Sequence, residues 1–492
     1  MPSSPPTDMI GRGNEWSRLS EFATSGVDHP TLGIVWGRRR VGKSFLLQAL
    51  TRTLRGFYYE ATRGSEAEAL RDLGTSLGAF RGAAGPLALS DWGVALEILL
   101  SLGREQEVLV VLDEFPYLLE HSPSLDSLLQ RALGPGARRS SPHRARLLLC
   151  GSAMTLMGNL LGGTAPLRGR AGLDLRVSPF HFRVARELHR IEDLATALRT
   201  FAVIGGVGAY AREMVDGDLP SGASDFHRWV CRRVLSPSAP LFHEVGLLLA
   251  EDPSTSKARK INLYHATLAG IATGHHAHSK LAGYVKIPGA SLAPIVDALV
   301  SSEFVEKIQD PIRDNRPTYY PSDPLIRFHY AILRRNQSRL TRHDADTRAL
   351  WRQILPTFES QVLGPSFEGM ARYWTAHFAV SETLGALPDQ VGPTTVVLGD
   401  GTHRQIDVLA VRGQPADPED RDVLALGEAK AGEVLGRSHL ARLEEARTAL
   451  GPRARDARLL LFGTRFSPGL MGVAARRPDL EIIDLERLYH GS

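Results

Sequence analysis

Apolar residues along the first part of this chain form short continuous runs, which are typical of buried strands. Such runs occupy residues 31–36, 108–112 and 147–150, and a Gly- or acid-containing turn follows each one. Shorter strands are expected at 56–62 and 173–177, and a helix is expected to begin at Lys43 after the first run. Strands that alternate with helices predict an α/β fold with a parallel sheet.

The last part of the chain shows a different order of elements. An amphipathic helix at 365–378 comes before an alternating strand at 404–411 and a second strand at 423–430. A helix at 437–450 and a strand at 458–463 follow. This pattern predicts a separate small α/β domain built on a β-hairpin.

Residues 257–325 predict a third kind of unit. Helices are expected at 264–273 and 279–284, and Ser291 is expected to cap a third helix. Two strands, at 305–309 and 317–320, then enclose a polar loop. Three helices followed by a β-ribbon are the plan of a winged helix-turn-helix.

Composition sets limits on the class of protein. A length of 492 residues with a net charge of +4 suggests about three globular domains. The two cysteines, Cys150 and Cys231, exclude a disulfide scaffold. The chain contains no apolar run of membrane-spanning length and no signal-peptide pattern near Met1, so we expect a cytoplasmic protein without a membrane partner.

The first candidate functional site lies in the turn after the first apolar run. The turn matches the phosphate-loop pattern G-x-x-x-x-G-K-[ST] at Gly37, Arg38, Arg39, Arg40, Val41, Gly42, Lys43 and Ser44. Backbone N–H groups of such a loop and the following helix N-terminus bind phosphate. Lys43 is therefore expected to contact the β- and γ-phosphates of ATP, and the Ser44 hydroxyl to ligate Mg²⁺.

Lysine is rare in this chain, where arginine is the usual cation. A lysine therefore marks a position where its compact, movable ammonium is favoured over the planar guanidinium of arginine. Of the 58 basic residues only seven are lysines, and one is Lys43 while another is Lys430. Five more fall in the predicted winged helix, at 257, 260, 280, 286 and 307. Their concentration is consistent with contacts to nucleic-acid phosphates. A solvated face, or a winged helix used for protein contact, is the alternative.

The later strands supply the other residues that ATP hydrolysis requires. Asp113 follows a buried strand and is expected to hold the Mg²⁺ shell, and Glu114 to polarise the attacking water. Ser152 could sense the γ-phosphate or be a structural hydroxyl. Arg168 or Arg170 could stabilise the transition state from the same or a neighbouring subunit, so a homo-oligomer remains open.

These motifs together resemble the archaeal-type ATPase family of the AAA-related P-loop proteins. The resemblance rests on MIGR at 9–12, GRRRVGKS at 37–44, LDEF at 112–115, CGS at 150–152, PLRGR at 166–170 and GGVGAY at 205–210. It implies a five-stranded parallel core with a small helical lid. It also favours Arg170 over Arg168, because Arg170 falls where the family pattern has its arginine.

A second candidate site lies on the C-terminal hairpin. Side chains alternate along a strand, so Glu428 and Lys430 face the same side, and Asp407 on the partner strand can lie beside them. Two carboxylates can bind Mg²⁺ while an ammonium orients or deprotonates the attacking water. Glu368 on the preceding helix could extend the metal site. A strand with surface charges is the alternative.

The order of elements with D…E-x-K resembles the PD-(D/E)xK superfamily of nucleases, which has a restriction-endonuclease-like fold. Ile406 stands where the superfamily often has proline. The C-terminal part also resembles a domain of unknown function that often follows this type of ATPase. The resemblance implies phosphodiester cleavage, although the fold can persist without activity.

These observations predict a multidomain α/β protein. The expected parts are an ATPase core at 1–185, a helical lid at 186–245, a winged helix at 246–335, a linker at 336–346 and a nuclease-like domain at 347–492. The expected function is ATP hydrolysis with Mg²⁺-dependent action on nucleic acid, DNA in the first instance. The alternative is a nucleotide-switched DNA-binding regulator, or a signalling ATPase, whose nuclease-like domain serves only for interaction.

Overall fold

The fold was analysed in a computed structural model that describes residues 4–7, 9–134, 143–162, 165–252, 261–313, 316–413 and 421–492. These residues form two compact units, each of which is described by itself. The first unit holds the described residues up to Pro179, with Val207–Ala209 and Asp252. The second holds Phe180–Gly206, Tyr210–Glu251 and the described residues from Ile261 onward.

The first unit is built on a five-stranded parallel sheet in the order β2-β3-β4-β1-β5. Its strands are β1 (Thr31–Trp36), β2 (Phe57–Glu60), β3 (Val108–Asp113), β4 (Ala145–Gly151) and β5 (Ala171–Arg176). Its helices are α1 (Gly13–Ala23), α2 (Lys43–Leu54), α3 (Glu66–Phe80), α4 (Trp92–Ser101), α5 (Phe115–His121), α6 (Leu125–Ala132) and α7 (Met154–Asn159).

Strands β3 and β4 are buried along their whole length, as their apolar runs predict. Apolar clusters cover both faces of the sheet, one packing α3 and α4 and the other packing α1 and α2 against it. Because all five strands run in parallel, their carboxyl ends lie along one edge. The predicted parallel α/β core is therefore present.

The second unit begins with helices that continue in places as π-helical turns. Its elements before the ribbon are α8 (Phe182–His189), α9 (Leu194–Ile204), a π-helix (Tyr210–Met214), α10 (Ala223–Trp229), a π-helix (Val230–Val234), α11 (Pro240–Glu251), α12 (Ile261–Ala272), α13 (His278–Val285) and α14 (Gly289–Ser301). An antiparallel pair, β6 (Val305–Ile308) and β7 (Thr318–Pro321), follows. Helix α14 begins at Gly289, after Pro288, so the expectation that Ser291 caps it is wrong.

A mixed five-stranded sheet, in the order β12-β11-β10-β9-β8, forms the end of the chain. Its strands are β8 (Gln390–Val397), β9 (His403–Arg412), β10 (Asp422–Leu435), β11 (Arg458–Phe466) and β12 (Leu480–Ile483). The accompanying helices are α15 (Pro324–Phe328), a π-helix (His329–Leu333), α16 (Arg334–Leu340), α17 (Thr347–Phe358), a π-helix (Glu359–Leu363), α18 (Gly364–His377), α19 (Ser381–Leu384), α20 (Arg437–Ala449), a 3₁₀ turn (Gly451–Ala454), α21 (Pro468–Ala474) and α22 (Leu485–His490). The predicted hairpin is thus β9–β10.

Aromatic side chains join the first helices of the second unit to its C-terminal part. The ring of Phe182 lies 5.3 Å from that of Tyr489 and 5.9 Å from that of Phe378. The guanidinium of Arg183 donates to the carbonyls of Leu488 and Gly491. Helix α8 is therefore held by α18 and α22. No helix in the described residues has the length and apolarity that crossing a membrane requires.

Gly206 offers a test of the packing after α9. A Cβ there would lie 1.8 Å from the carbonyl oxygen of Phe180, whose N–H donates to the Gly206 carbonyl. We expect Gly206→Ala to lower the free energy of unfolding by about 2–3 kcal/mol, because the backbone must move. Gly246→Ala in α11, where a Cβ meets nothing within 4 Å, is the matched control and should stabilise by about 1 kcal/mol. Equal denaturation midpoints for the two variants would contradict this packing.

Candidate functional site

The phosphate-loop residues connect β1 to α2 in a tight turn. Gly37 has φ 154° and Gly42 has φ 94°, and a Cβ on Gly37 would lie 2.2 Å from the Val177 carbonyl oxygen. Only glycine fits at the first position without a backbone shift. Arg40 also has a positive φ, of 70°. Because α2 begins at Lys43, the helix N-terminus opens into the loop.

Lys43 is buried inside this loop. Its Nζ donates to the carbonyl of Gly37 at 2.7 Å and to that of Arg38 at 3.1 Å. The ammonium is therefore held by the loop backbone, at the site where phosphates bind in this type of motif. Ser44 follows in the first turn of α2 and is partly exposed.

Arg12 supports the loop from outside, a role that no sequence pattern indicated. Its guanidinium donates to the carbonyls of Val41 and Ser178, both at 2.8 Å, and pairs with Glu15 at 2.7 Å. Burial lowers the pKa of Arg12 from its usual value, and the hydrogen bond to Glu15 opposes that effect. The motif MIGR thus contributes a side chain that fixes the shape of the loop.

The carboxylates at the end of β3 lie on the same edge of the sheet as the loop. Asp113 is fully buried, and its Oδ1 accepts the N–H of Glu114 at 2.8 Å. Its Oδ2 accepts the Tyr58 hydroxyl at 2.6 Å. Glu114 has φ 50°, which a non-glycine residue rarely adopts, and it precedes α5.

Ser152 is brought to Glu114 by β4, the strand between β3 and β1. Its hydroxyl lies 3.2 Å from both Glu114 carboxylate oxygens. Ser152 therefore contacts the residue expected to polarise water. Cys150, one residue before the strand ends, has its pKa raised well above the usual value, by burial first and then by Asp113. Its thiol is therefore a neutral core group.

Arg170 lies far from Lys43 and Glu114 in the same chain. It directly precedes β5, whose first residue pairs with Leu32 of β1, whereas Trp36 at the other end of β1 precedes the loop. Strands rise about 3.3 Å per residue, so Arg170 and the loop lie at opposite ends of the sheet. Arg168 is exposed in the same turn. In the described part of the chain, Arg170 therefore does not lie beside Lys43 and Glu114.

The second predicted group assembles on β9 and β10. Nζ of Lys430 lies 3.1 Å from Asp407 Oδ2 and 3.6 Å from Glu428 Oε1. The same Asp407 oxygen accepts the N–H of Ala429 at 3.0 Å. Arg442 on α20 lies 3.4 Å from Glu428. The alternation along β10 therefore brings Glu428 and Lys430 beside Asp407, as the spacing predicts.

Glu368 approaches the group from α18. Burial raises the pKa of its carboxyl to about 7, and the nearby Asp407 adds to the shift. Arg372, one turn later, donates to the backbone carbonyl of Asp407 at 3.1 Å, and its guanidinium lies 5.0 Å from the ring centre of Tyr320 in β7. Sequence analysis missed Arg372, because its partners lie far away along the chain.

The donor chemistry of this second group suits a hard cation. Asp407, Glu428 and Glu368 offer only carboxylate oxygens, the ligands that Mg²⁺ prefers. Among the described residues, however, no three His, Cys, Asp or Glu side chains converge closely enough to form a ready-made metal cage. The ammonium of Lys430 lies beside two of the carboxylates. A cation would therefore require small side-chain movements.

The predicted winged-helix residues carry their charge unevenly. Lys280, Lys286 and Lys307 are exposed, and residues 257 and 260 lie outside the described residues. Helix α14, the third helix, contains Asp297 and neither lysine nor arginine. Positive charge in the described residues from Ile261 to Pro321 is therefore found on α13, its C-cap, β6 and the loop that follows β6, which carries Arg313 and Arg316.

The chain was compared with known proteins. No model of a known family matches it. It is 23% identical over 409 residues to the uncharacterized protein MJECL04 of Methanocaldococcus jannaschii. The aligned region covers 79% of this chain and 84% of that protein. The Walker-type ATPase PABY2304 of Pyrococcus abyssi is 23% identical with a TM-score of 0.50, over 68% of this chain and 99% of that structure. The ORC2 protein of Aeropyrum pernix is 15% identical with a TM-score of 0.42, over 68% of this chain and 97% of that structure. The likeness to the Walker-type ATPase shows that the two proteins share a fold.

The raised pKa of Glu368 predicts a pH-dependent stability. A carboxyl whose pKa is higher in the folded state stabilises the protein while protonated, and this contribution is lost as pH rises from about 4.5 to about 7. The free energy of unfolding of the Glu368→Gln variant, relative to that of the natural chain, should therefore increase by on the order of 2 kcal/mol as the pH rises from about 5 to about 8. Urea denaturation in EDTA measures the difference. Glu382→Gln, at an exposed glutamate, is the control, and a pH-independent difference for Glu368→Gln would contradict the assignment.

Proposed function

We propose that the first unit binds and hydrolyses ATP with Mg²⁺. The observation that carries this proposal is the convergence of Lys43, Asp113 and Glu114 at one edge of a parallel sheet. Lys43 at the head of α2 binds the phosphates, and Ser44 and Asp113 hold the metal ion. The cation, when bound, neutralises charge on the phosphates. Asp113 is held in one orientation by hydrogen bonds to both of its oxygens, which supports this role.

Glu114 orients the attacking water in this proposal. Its carboxylate lies at the end of β3, next to the loop, and the Ser152 hydroxyl holds it. Arg170 lies at the opposite end of the sheet from the loop, so it acts on the nucleotide of a neighbouring copy of the chain. The proposed active form is therefore a homo-oligomer.

Loss of the loop ammonium should abolish hydrolysis. We expect Lys43→Ala to lower ATP turnover by about 100-fold or more, because its ammonium lies inside the loop at the start of α2, where the phosphates of a bound nucleotide are expected. Release of phosphate from ATP by the purified full chain measures the effect. Arg52→Ala, at an exposed arginine on the same helix, is the control and should keep its turnover. Equal turnover in the Lys43 variant would refute the proposed active site.

For the C-terminal sheet we propose metal-dependent cleavage of phosphodiester bonds. The specific observation in favour is the cluster of Asp407, Glu428 and Lys430 on adjacent strands with Glu368 beside it. The three carboxylates would hold Mg²⁺, and the bound ion would activate water and neutralise charge on the phosphate. The Lys430 ammonium orients that water. Asp407 and Arg372 fix the strands, since Asp407 accepts the Ala429 N–H at 3.0 Å and Arg372 donates to the Asp407 carbonyl at 3.1 Å.

The proposed substrate is nucleic acid, with DNA as the first candidate. Three helices and an antiparallel ribbon at 261–321 support a winged helix-turn-helix, and its exposed cations in the described residues include Lys280, Lys286, Lys307 and Arg316. Since α14 has no basic residue, phosphate contacts come from α13, its C-cap and the ribbon. Such contacts are largely independent of base sequence. The absence of basic residues on α14 also fits a protein partner, as in a nucleotide-switched regulator.

Cleavage can be tested on plasmid, linear and single-stranded DNA with Mg²⁺ or Mn²⁺, with and without ATP. We expect Asp407→Asn and Lys430→Ala to remove cleavage while ATP turnover persists, because their side chains lie in the second unit. Asp422→Asn, at the exposed start of β10, is the matched control and should cleave normally.

Two results would lead to different conclusions. Cleavage that persists in both variants would mean that another site, or a contaminant, cuts the DNA. No cleavage by the natural chain, with ATP turnover intact, would favour the nucleotide-switched regulator with an inactive nuclease-like domain.

A further inference from the structure

The hydroxyl of Tyr58 makes the shortest contact to the Asp113 side chain. Tyr58 lies on β2, the edge strand that pairs with β3, and Tyr59 pairs with Leu112 in that register. The Tyr58 hydroxyl donates to Asp113 Oδ2 at 2.6 Å. The other oxygen of Asp113 accepts the N–H of Glu114. Together the two bonds fix the plane of the carboxylate.

A third residue links this pair to the phosphate-loop helix. Gln48 Nε2 donates to the Tyr58 hydroxyl at 3.3 Å. Gln48 lies one helical turn after Ser44, on the same face of α2. A chain of hydrogen bonds therefore runs from the helix that carries Ser44, through Gln48 and Tyr58, to Asp113. Ser44 and Asp113 are the two residues proposed to hold the metal ion.

The hydroxyl can act only as a donor to Asp113 at neutral pH. Burial raises the pKa of Tyr58 far above its usual value, and the charge of Asp113 adds to the shift. The phenol O–H donates one hydrogen bond to the carboxylate, and this bond fixes the position of Oδ2.

We propose that Tyr58 is a positioning residue for Mg²⁺-nucleotide binding, and that it acts by fixing the carboxylate of Asp113 relative to Ser44. The proposal rests on the proposed ATPase function and adds to it a residue outside the known motifs. Groups that orient metal ligands typically contribute 10- to 100-fold to metal affinity. Tyr58 touches neither nucleotide nor water in this proposal, so its effect passes through Asp113 alone.

The chain offers a matched control on the same strand. Tyr59 is also buried, but its hydroxyl donates to the carbonyl of Ala69 at 3.2 Å, away from Asp113. Tyr58→Phe and Tyr59→Phe each delete one buried hydroxyl and keep the ring. The first variant removes the bond to Asp113, whereas the second removes only a contact to α3. A general loss of stability would affect both variants alike.

The decisive measurement is nucleotide affinity with and without the metal ion. Binding of a fluorescent ADP to the full chain is titrated in EDTA and again at increasing Mg²⁺. We expect Tyr58→Phe to bind like the natural chain in EDTA and to need about tenfold more Mg²⁺ for half-maximal enhancement. The Mg²⁺ concentration that gives half-maximal ATP turnover should rise by the same factor. Gln48→Leu should raise this Mg²⁺ concentration as well, but by a smaller factor than Tyr58→Phe.

The outcomes separate this inference from the function on which it rests. If the natural chain neither binds nor hydrolyses ATP, the proposed function fails. If it does both, and Tyr58→Phe shows the same Mg²⁺ dependence as Tyr59→Phe, the positioning role is wrong. If Tyr58→Phe lowers affinity equally in EDTA and in Mg²⁺, its contribution is to the fold of the nucleotide site and the proposal is also overturned.

Discussion

The pairing of β1 with β4, and of β4 with β3, is the constraint on which the first site depends. In this register Trp36 pairs with Gly151, and Leu112 with Leu149. The three strands therefore end together, and the residues after them meet although they lie up to 115 positions apart. A slip of one residue would turn every side chain of a strand to the other face. The long apolar runs that make β3 and β4 buried are thus also what aligns the loop, the carboxylates and Ser152.

Two carboxylates of the second unit have different surroundings. Asp407 accepts two hydrogen bonds at one oxygen, whereas in the described chain the carboxylate of Glu368 accepts none. Burial, and then the nearby Asp407, raise the pKa of Glu368 to about 7. Two carboxyls whose environments differ in this way are suited to different tasks at one site. Arg372 joins them, because it lies one turn from Glu368 and binds the backbone of Asp407.

Sequence alone predicted the groups whose members follow a fixed local rule. The loop from Gly37 to Ser44 is recognised by spacing, and Glu428 with Lys430 by alternation along a strand. Tyr58, Arg12 and Arg372 escaped prediction, because each acts on a residue at least 29 positions away and no local pattern marks such a contact. Ser291 was wrongly expected to cap a helix, since Pro288 starts that helix earlier. The position of Arg170 became clear only from the direction of β5.

Helix α8 has a consequence for how this chain could be rearranged. It comes early in the second unit, yet Phe182 packs on Tyr489, and Arg183 binds carbonyls close to the last residue of the chain. The C-terminal sheet is therefore not a unit that a fusion point near residue 346 could transfer to another protein. A cut there would separate α8 from the helices that cover it. A transfer that preserves these contacts must begin before Phe182, at the start of the second unit.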